Sequence, residues 1–174
     1  HVPLQREGSY PTFHLANADF FHRLKRKTVV MNTSRGEVVD TLALKKALHK
    51  GLVKEAILDV WENEPTIDLD LLHYIYIGTP HIAGYSADGK ANATRQALDA
   101  LCRHFQLQGH YTITPPAPPQ PEVEAATLPE ALLQIYNPHT DSQALKNHPE
   151  LFEQIRGNYP LRREEGAYHI SIQR

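Results

Sequence analysis

Three short apolar runs, Thr28 to Met31, Ala56 to Leu58 and Ile75 to Ile77, most constrain how this chain can fold. Each gives way to a polar loop: Asn32-Thr33-Ser34-Arg35-Gly36, Asp59-Val60-Trp61-Glu62-Asn63-Glu64-Pro65 and Thr79-Pro80-His81. Short apolar runs bounded by turn-forming residues read as buried strands. Between the first two lies Thr41 to Lys50, where Leu42, Leu44, Ala47 and Leu48 form a helical apolar stripe, Asp40 supplies a cap and Gly51 a stop. A shorter helix near Asp68 to His73 precedes the third run, and another, Ala18 to Lys25, precedes the first. Strands alternating with helices imply a parallel sheet with crossover helices, half of a doubly wound α/β layer. In such a sheet all three polar loops leave from the carboxyl edge, where open α/β sheets bind ligands.

Three side chains in those loops carry chemistry. Arg35 offers a planar, permanently charged, two-pronged donor suited to a carboxylate or carbonyl oxygen. His81 offers an imidazole that takes a proton from an alcohol or returns it to a carbonyl, and Glu64 a carboxylate that fixes the tautomer and stabilises the imidazolium. Together they make an acid/base site for an alcohol and carbonyl couple. Singly, each has an ordinary alternative: Arg35 as a surface ion-pair partner, Glu64 as a loop charge, His81 as one of 11 histidines.

Beyond residue 87 the pattern changes. Ser86 caps a long helix expected over Ala87 to Gln108, with Ala93, Ala97, Leu98, Leu101 and Phe105 at helical spacing. Residues 112–121 hold five prolines and read as an extended linker. Residues 122–174 then read as a small α+β segment. Thr127-Leu128-Pro129-Glu130 fits a capping box opening a helix through Tyr136, Asp141 caps a second helix, Pro149 to Arg156 forms a third, and Ala167 to Ile172 alternates like a strand. So small a segment buries little by itself, which favours completion against another surface.

A formal net charge of −2 without a basic stripe excludes an electrostatic nucleic-acid site. No apolar run approaches a membrane span, and the start lacks a signal-peptide layout, so a cytoplasmic protein is expected. The single cysteine, Cys102, has no disulfide partner and is expected to be buried and inert. His104 with His110, and His139 with His148, lack compact ligand spacing, so no metal site is expected. The chain begins at His1, and none of its nine glycines sits two residues from another, so a G-x-G-x-x-G phosphate loop is absent. It reads as a carboxyl-terminal fragment.

The strings His1-Val2-Pro3-Leu4, Asn32-Thr33-Ser34-Arg35-Gly36-Glu37-Val38-Val39-Asp40, Leu58-Asp59-Val60-Trp61-Glu62-Asn63-Glu64-Pro65 and Thr79-Pro80-His81-Ile82-Ala83-Gly84-Tyr85-Ser86 resemble, in order and spacing, the D-isomer-specific 2-hydroxyacid dehydrogenases. Trp61, the Gly84-Tyr85-Ser86 ending and the tail Asn158-Tyr159-Pro160-Leu161-Arg162-Arg163 narrow the resemblance to a branch acting on a phosphorylated 2-hydroxy acid. The resemblance implies that residues 1–87 are the carboxyl-terminal half of a Rossmann-like NAD-binding domain, 88–111 a helix returning toward a substrate domain, and 122–174 a dimerisation domain of a homodimer. It assigns Arg35, Glu64 and His81 to catalysis, Arg35 and Tyr85 to substrate, and Val2, Thr33, Ser34, Arg35, Asp59 and Gly84 to NAD. Two alternatives stay open: a dehydrogenase of the glycerate or phosphoglycerate type, and a non-catalytic scaffold that senses NAD and binds proteins.

Overall fold

The computed structural model describes residues 2–109 and 111–173, so His1 of the first motif and His110 lie outside the described residues. The chain forms two compact units, residues 1–82 with 138–158, and residues 83–137 with 159–174. Where the sequence groups 122–174 together, the structure therefore gives the middle of that segment to the first unit.

The first unit is built on a parallel sheet in the order β1 (Thr28–Asn32), β2 (Val53–Leu58), β3 (Ile77–Gly78). Asn32 is level with Leu58, and Leu58 with Gly78, so all three strands end at one height. The ladder continues one step into the loops, where Asp59 N–H donates to the Asn32 carbonyl at 3.0 Å and Thr79 N–H to the Leu58 carbonyl at 2.9 Å. That register brings the Arg35, Glu64 and His81 loops to a single edge.

The helices of this unit are α1 (Ala18–His22), α2 (Thr41–His49) and α3 (Leu69–Tyr74). Each opens on a side-chain cap: Asn17 accepts from Phe20 N–H at 3.0 Å, Asp40 from Ala43 N–H at 2.9 Å, and Asp68 from Leu71 N–H at 2.8 Å. Gly51, at φ +65°, ends α2 in a left-handed turn that a side chain would strain. Three boundaries differ from the sequence reading. The second strand starts at Val53 rather than Ala56. The third is shifted because α3 runs on to Tyr74 and Ile75 N–H completes its last turn onto Leu71 O at 3.1 Å. The first helix stops at His22, before the charged Lys25-Arg26-Lys27.

The second unit begins with α4 (Ala87–Phe105), capped by Ser86, which accepts from Gly89 N–H at 2.9 Å. It ends three residues earlier than the periodicity implies, because Gln106 turns left-handed at φ 53° and Leu107 N–H closes onto Cys102 O at 2.9 Å. Cys102 is half-buried, not buried as expected, since no described residue of α4 is buried in this chain. Strand β4 (Glu122–Ala125) pairs in parallel with β5 (His169–Ile172), and α5 (Leu128–Ile135) packs on them through Ala131. The sequence reading has no strand at β4, whose Glu-Val-Glu-Ala alternation is short and acidic yet buries Val123 and Ala125. Arg163 Nε and Nη2 donate to the two Asp88 oxygens at 2.8 and 3.0 Å, tying the tail to the start of α4. That guanidinium holds the Asp88 carboxyl below the usual carboxylate range.

Two further helices, α6 (Pro138–Asn147) and α7 (Phe152–Gly157), belong to the first unit. Leu145 and Phe152 enter the same core as Phe21, Leu44, Trp61 and Leu72. From α6, Ser142 Oγ accepts from Gly78 N–H at 3.0 Å and Lys146 Nζ donates to Ile75 O at 2.7 Å, so side chains satisfy backbone groups at β3. Burial holds the Lys146 ammonium below the usual lysine range against the opposing pull of Glu55. Among the described residues no helix is long and apolar enough to cross a membrane, and no group of three potential ligands forms a metal site.

Candidate active site

The carboxyl edge of the sheet is shaped by short polar connections. Asn32, 6% exposed, closes the first loop: its amide donates to Arg35 O at 2.9 Å, and its Oδ1 accepts from Ser34 N–H at 3.1 Å and Ser34 Oγ at 3.2 Å. The next residue after Ser34, Arg35, is exposed, with Nη1 donating to Ser34 O at 2.6 Å. Ser34 is buried and its hydroxyl is committed to Asn32, while Thr33 and Val2 are half-buried.

In the second loop Glu64 divides its oxygens. Oε1 accepts from Trp61 N–H at 2.8 Å, and Oε2 stands 2.8 Å from His81 Nδ1. An ionised carboxylate only accepts, so Nδ1 carries the proton of this bond and Nε2 is the nitrogen left to exchange one with a bound molecule. Both side chains are partly open, 19% exposed for Glu64 and 27% for His81. That is enough shelter to hold a geometry and enough opening to admit a small molecule.

The third loop sits on Asp59, which is 4% exposed. Its Oδ1 accepts from Thr79 Oγ1–H at 2.6 Å and from Ile82 N–H at 2.8 Å, bracketing Pro80 and His81. His81 itself lies at φ 58°. Holding a non-glycine residue in that left-handed well costs on the order of 1–2 kcal/mol, and the bracket by Asp59 offsets it. The resemblance assigns Asp59 to the cofactor; its visible work is to shape the loop that presents the imidazole.

Gly84 and Tyr85 lie in the second unit. Gly84 is exposed, with open space where a Cβ would project. Tyr85 is half-buried, edge-on to Tyr159 at 6.1 Å, with Lys90 Nζ 4.5 Å from its ring centroid.

One pair escaped sequence reasoning. His14 Nε2 stands 2.6 Å from Glu62 Oε1, and Glu62 Oε2 accepts from Thr41 N–H at 2.8 Å. Burial works to raise the Glu62 carboxyl, but the His14 and Thr41 hydrogen bonds outweigh it and leave it below its ordinary value. Glu62 thereby moors the Glu64 loop to α2 and to the loop before α1. Its position two residues from Glu64 was visible; its partner, 48 positions away in sequence, was not.

The structure thus places a carboxylate-oriented imidazole at the carboxyl edge of a parallel α/β sheet. Residues 1–83 match the family described as D-isomer specific 2-hydroxyacid dehydrogenase, NAD binding domain. The chain is 62% identical over 172 residues to a Bacteroides fragilis protein named erythronate-4-phosphate dehydrogenase, covering 99% of the chain and 49% of that protein. A Porphyromonas gingivalis protein of the same name is 38% identical over 178 residues, covering 98% and 48%. The chain thus spans about half the length of the curated relatives it matches. Among solved structures, a glyoxylate reductase from Paecilomyes thermophila matches at 30% identity and TM-score 0.51, over 59% of this chain and 31% of that one. A D-lactate dehydrogenase with NAD+ from Lactobacillus jensenii matches at 26% identity and TM-score 0.51, over 66% and 38%.

Proposed function

We propose that the protein carrying this chain oxidises 4-phospho-D-erythronate to 2-oxo-3-hydroxy-4-phosphobutanoate with NAD, a step of pyridoxal 5'-phosphate synthesis. The observation that carries this reading is the 2.8 Å bond between His81 Nδ1 and Glu64 Oε2 at the sheet edge, together with the name shared by its relatives.

Bound NAD supplies the hydride acceptor. Arg35, exposed on the first loop, grips the substrate carboxylate and the C2 oxygen through its planar fork. His81 Nε2 takes the C2 hydroxyl proton as the C2–H hydride departs, so an alcohol becomes a ketone and the imidazole an imidazolium. Glu64 holds the ring in the tautomer that leaves Nε2 able to accept. By the family's motifs, Val2, Thr33, Ser34, Asp59 and Gly84 are assigned to the cofactor and Tyr85 to the substrate. With no G-x-G-x-x-G turn in these residues, contacts to the pyrophosphate come from elsewhere in the full-length protein.

A cytoplasmic homodimer assembled through the 122–174 segment belongs to the same reading. The second unit's small buried set, Val123, Ala125 and Ala131, and its exposed Leu128, Leu132 and Leu133 support a second copy there.

The test is NADH formation by the full-length protein with 4-phospho-D-erythronate, glycerate or 3-phosphoglycerate. Preference for the first by about tenfold or more in kcat/KM is expected. Preference for either of the others moves the assignment to the glycerate or phosphoglycerate type. Tight NAD binding with no turnover of any substrate identifies a non-catalytic scaffold.

A further inference from the structure

We propose that Trp61 is a positioning residue that fixes the Arg35, Glu64 and His81 loops relative to one another; the inference rests on the acid/base reading above. Trp61 follows β2 by three positions and is 4% exposed. It meets each loop by a different part of itself.

Its peptide meets the first loop. A Cβ on Gly36 would overlap the Trp61 carbonyl and the Glu62 nitrogen, so the backbone beside Arg35 is seated directly on the Trp61–Glu62 peptide. Its N–H meets the second, donating to Glu64 Oε1 at 2.8 Å and fixing the carboxylate whose other oxygen holds the imidazole. Its indole meets the third, where Nε1–H donates to Thr79 O at 2.9 Å, two residues before His81. The ring's far edge presses on Gly78, where a Cβ would lie 2.9 Å from Cζ2 and Cη2.

At 4% exposure and with its far edge against Gly78, the ring has little room to slide. Phenylalanine would fill most of the ring's place but offer no N–H. The buried Thr79 carbonyl would then lose its donor, and the His81 loop one of its ties to the second loop beside those through Asp59 and Glu64.

The experiment compares Trp61→Phe with Leu48→Ala in the full-length protein. Leu48 is buried in the same core but touches none of the three loops through the contacts above. In Trp61→Phe, kcat is expected to fall between about tenfold and a hundredfold, while substrate KM and NAD affinity stay within about twofold. The proton NMR signal of His81 Nδ1–H, identified by its loss in His81→Asn, is expected to shift or vanish in Trp61→Phe. Leu48→Ala is expected to keep both kcat and the signal. An unmoved signal in Trp61→Phe overturns the proposal whatever the rates. An unchanged kcat also overturns it, as does a loss matched by Leu48→Ala at equal change in melting temperature. If the parent turns over no 2-hydroxy acid, the acid/base reading falls separately, and the proton signal alone decides the role of Trp61.

Discussion

At the scale of single residues, a lysine at position 35 keeps the charge of Arg35 but not the fork. Arg35→Lys is therefore expected to lower kcat/KM by about a hundredfold, with NAD affinity little changed, read by steady-state kinetics and calorimetry. Glu64→Gln keeps one oxygen for Trp61 N–H but turns an amide toward His81 Nδ1. It is expected to lower kcat by about tenfold to a hundredfold with the fold intact by circular dichroism. A parent-like kcat in either variant removes that residue from the site. The placement of the Arg35, Glu64 and His81 loops at one sheet edge was legible in sequence because each follows a strand-like run, and the strand end fixes where the loop emerges. The partners that hold them were not. Asp59 reaches Thr79 and Ile82, and Glu62 reaches His14, across loops whose proximity exists only after the sheet has paired.

Elements were legible where a local rule sufficed. Asp40, Asp68, Ser86 and Thr127 precede apolar helical stripes and cap them, so α2, α3, α4 and α5 could be located by their starts. Asp40→Ala is expected to cost about 1 kcal/mol in urea unfolding. Short strands were less legible, because two or four residues carry no period of their own. Strand β3 exists through its neighbours, β2 on one side and the Ser142 and Lys146 side chains. Glu62 gives this scale a pH dependence. Its folded carboxyl lies below the ordinary value of 4.5, so its contribution is full above that value and lost as pH falls through the lower, folded one. Glu62→Gln is accordingly expected to lower stability at neutral pH, with the deficit shrinking toward the acid limit. A deficit independent of pH in urea titrations contradicts this origin.

For the whole molecule, the division into units was the least legible feature. The proline-rich stretch marks a boundary in composition, yet residues 138–158 return to the first unit and lend Leu145 and Phe152, 0% and 1% exposed, to its core. Sequence distance hid this, since nothing local to α6 or α7 names the core they enter. Phe152→Ala is expected to destabilise that unit by about 3–5 kcal/mol in urea unfolding, and truncation after Pro121, which removes Leu145 and Phe152 along with the proposed assembly segment, to weaken it as well. The 174 residues alone are expected to bind NAD weakly, for want of the glycine turn. The account as a whole turns on the proton path through His81, so the most direct measurement is kcat for NAD reduction by 4-phospho-D-erythronate in the full-length parent and its His81→Asn variant. A loss of about a hundredfold to ten-thousandfold is predicted; turnover by His81→Asn at the parent's rate contradicts the account.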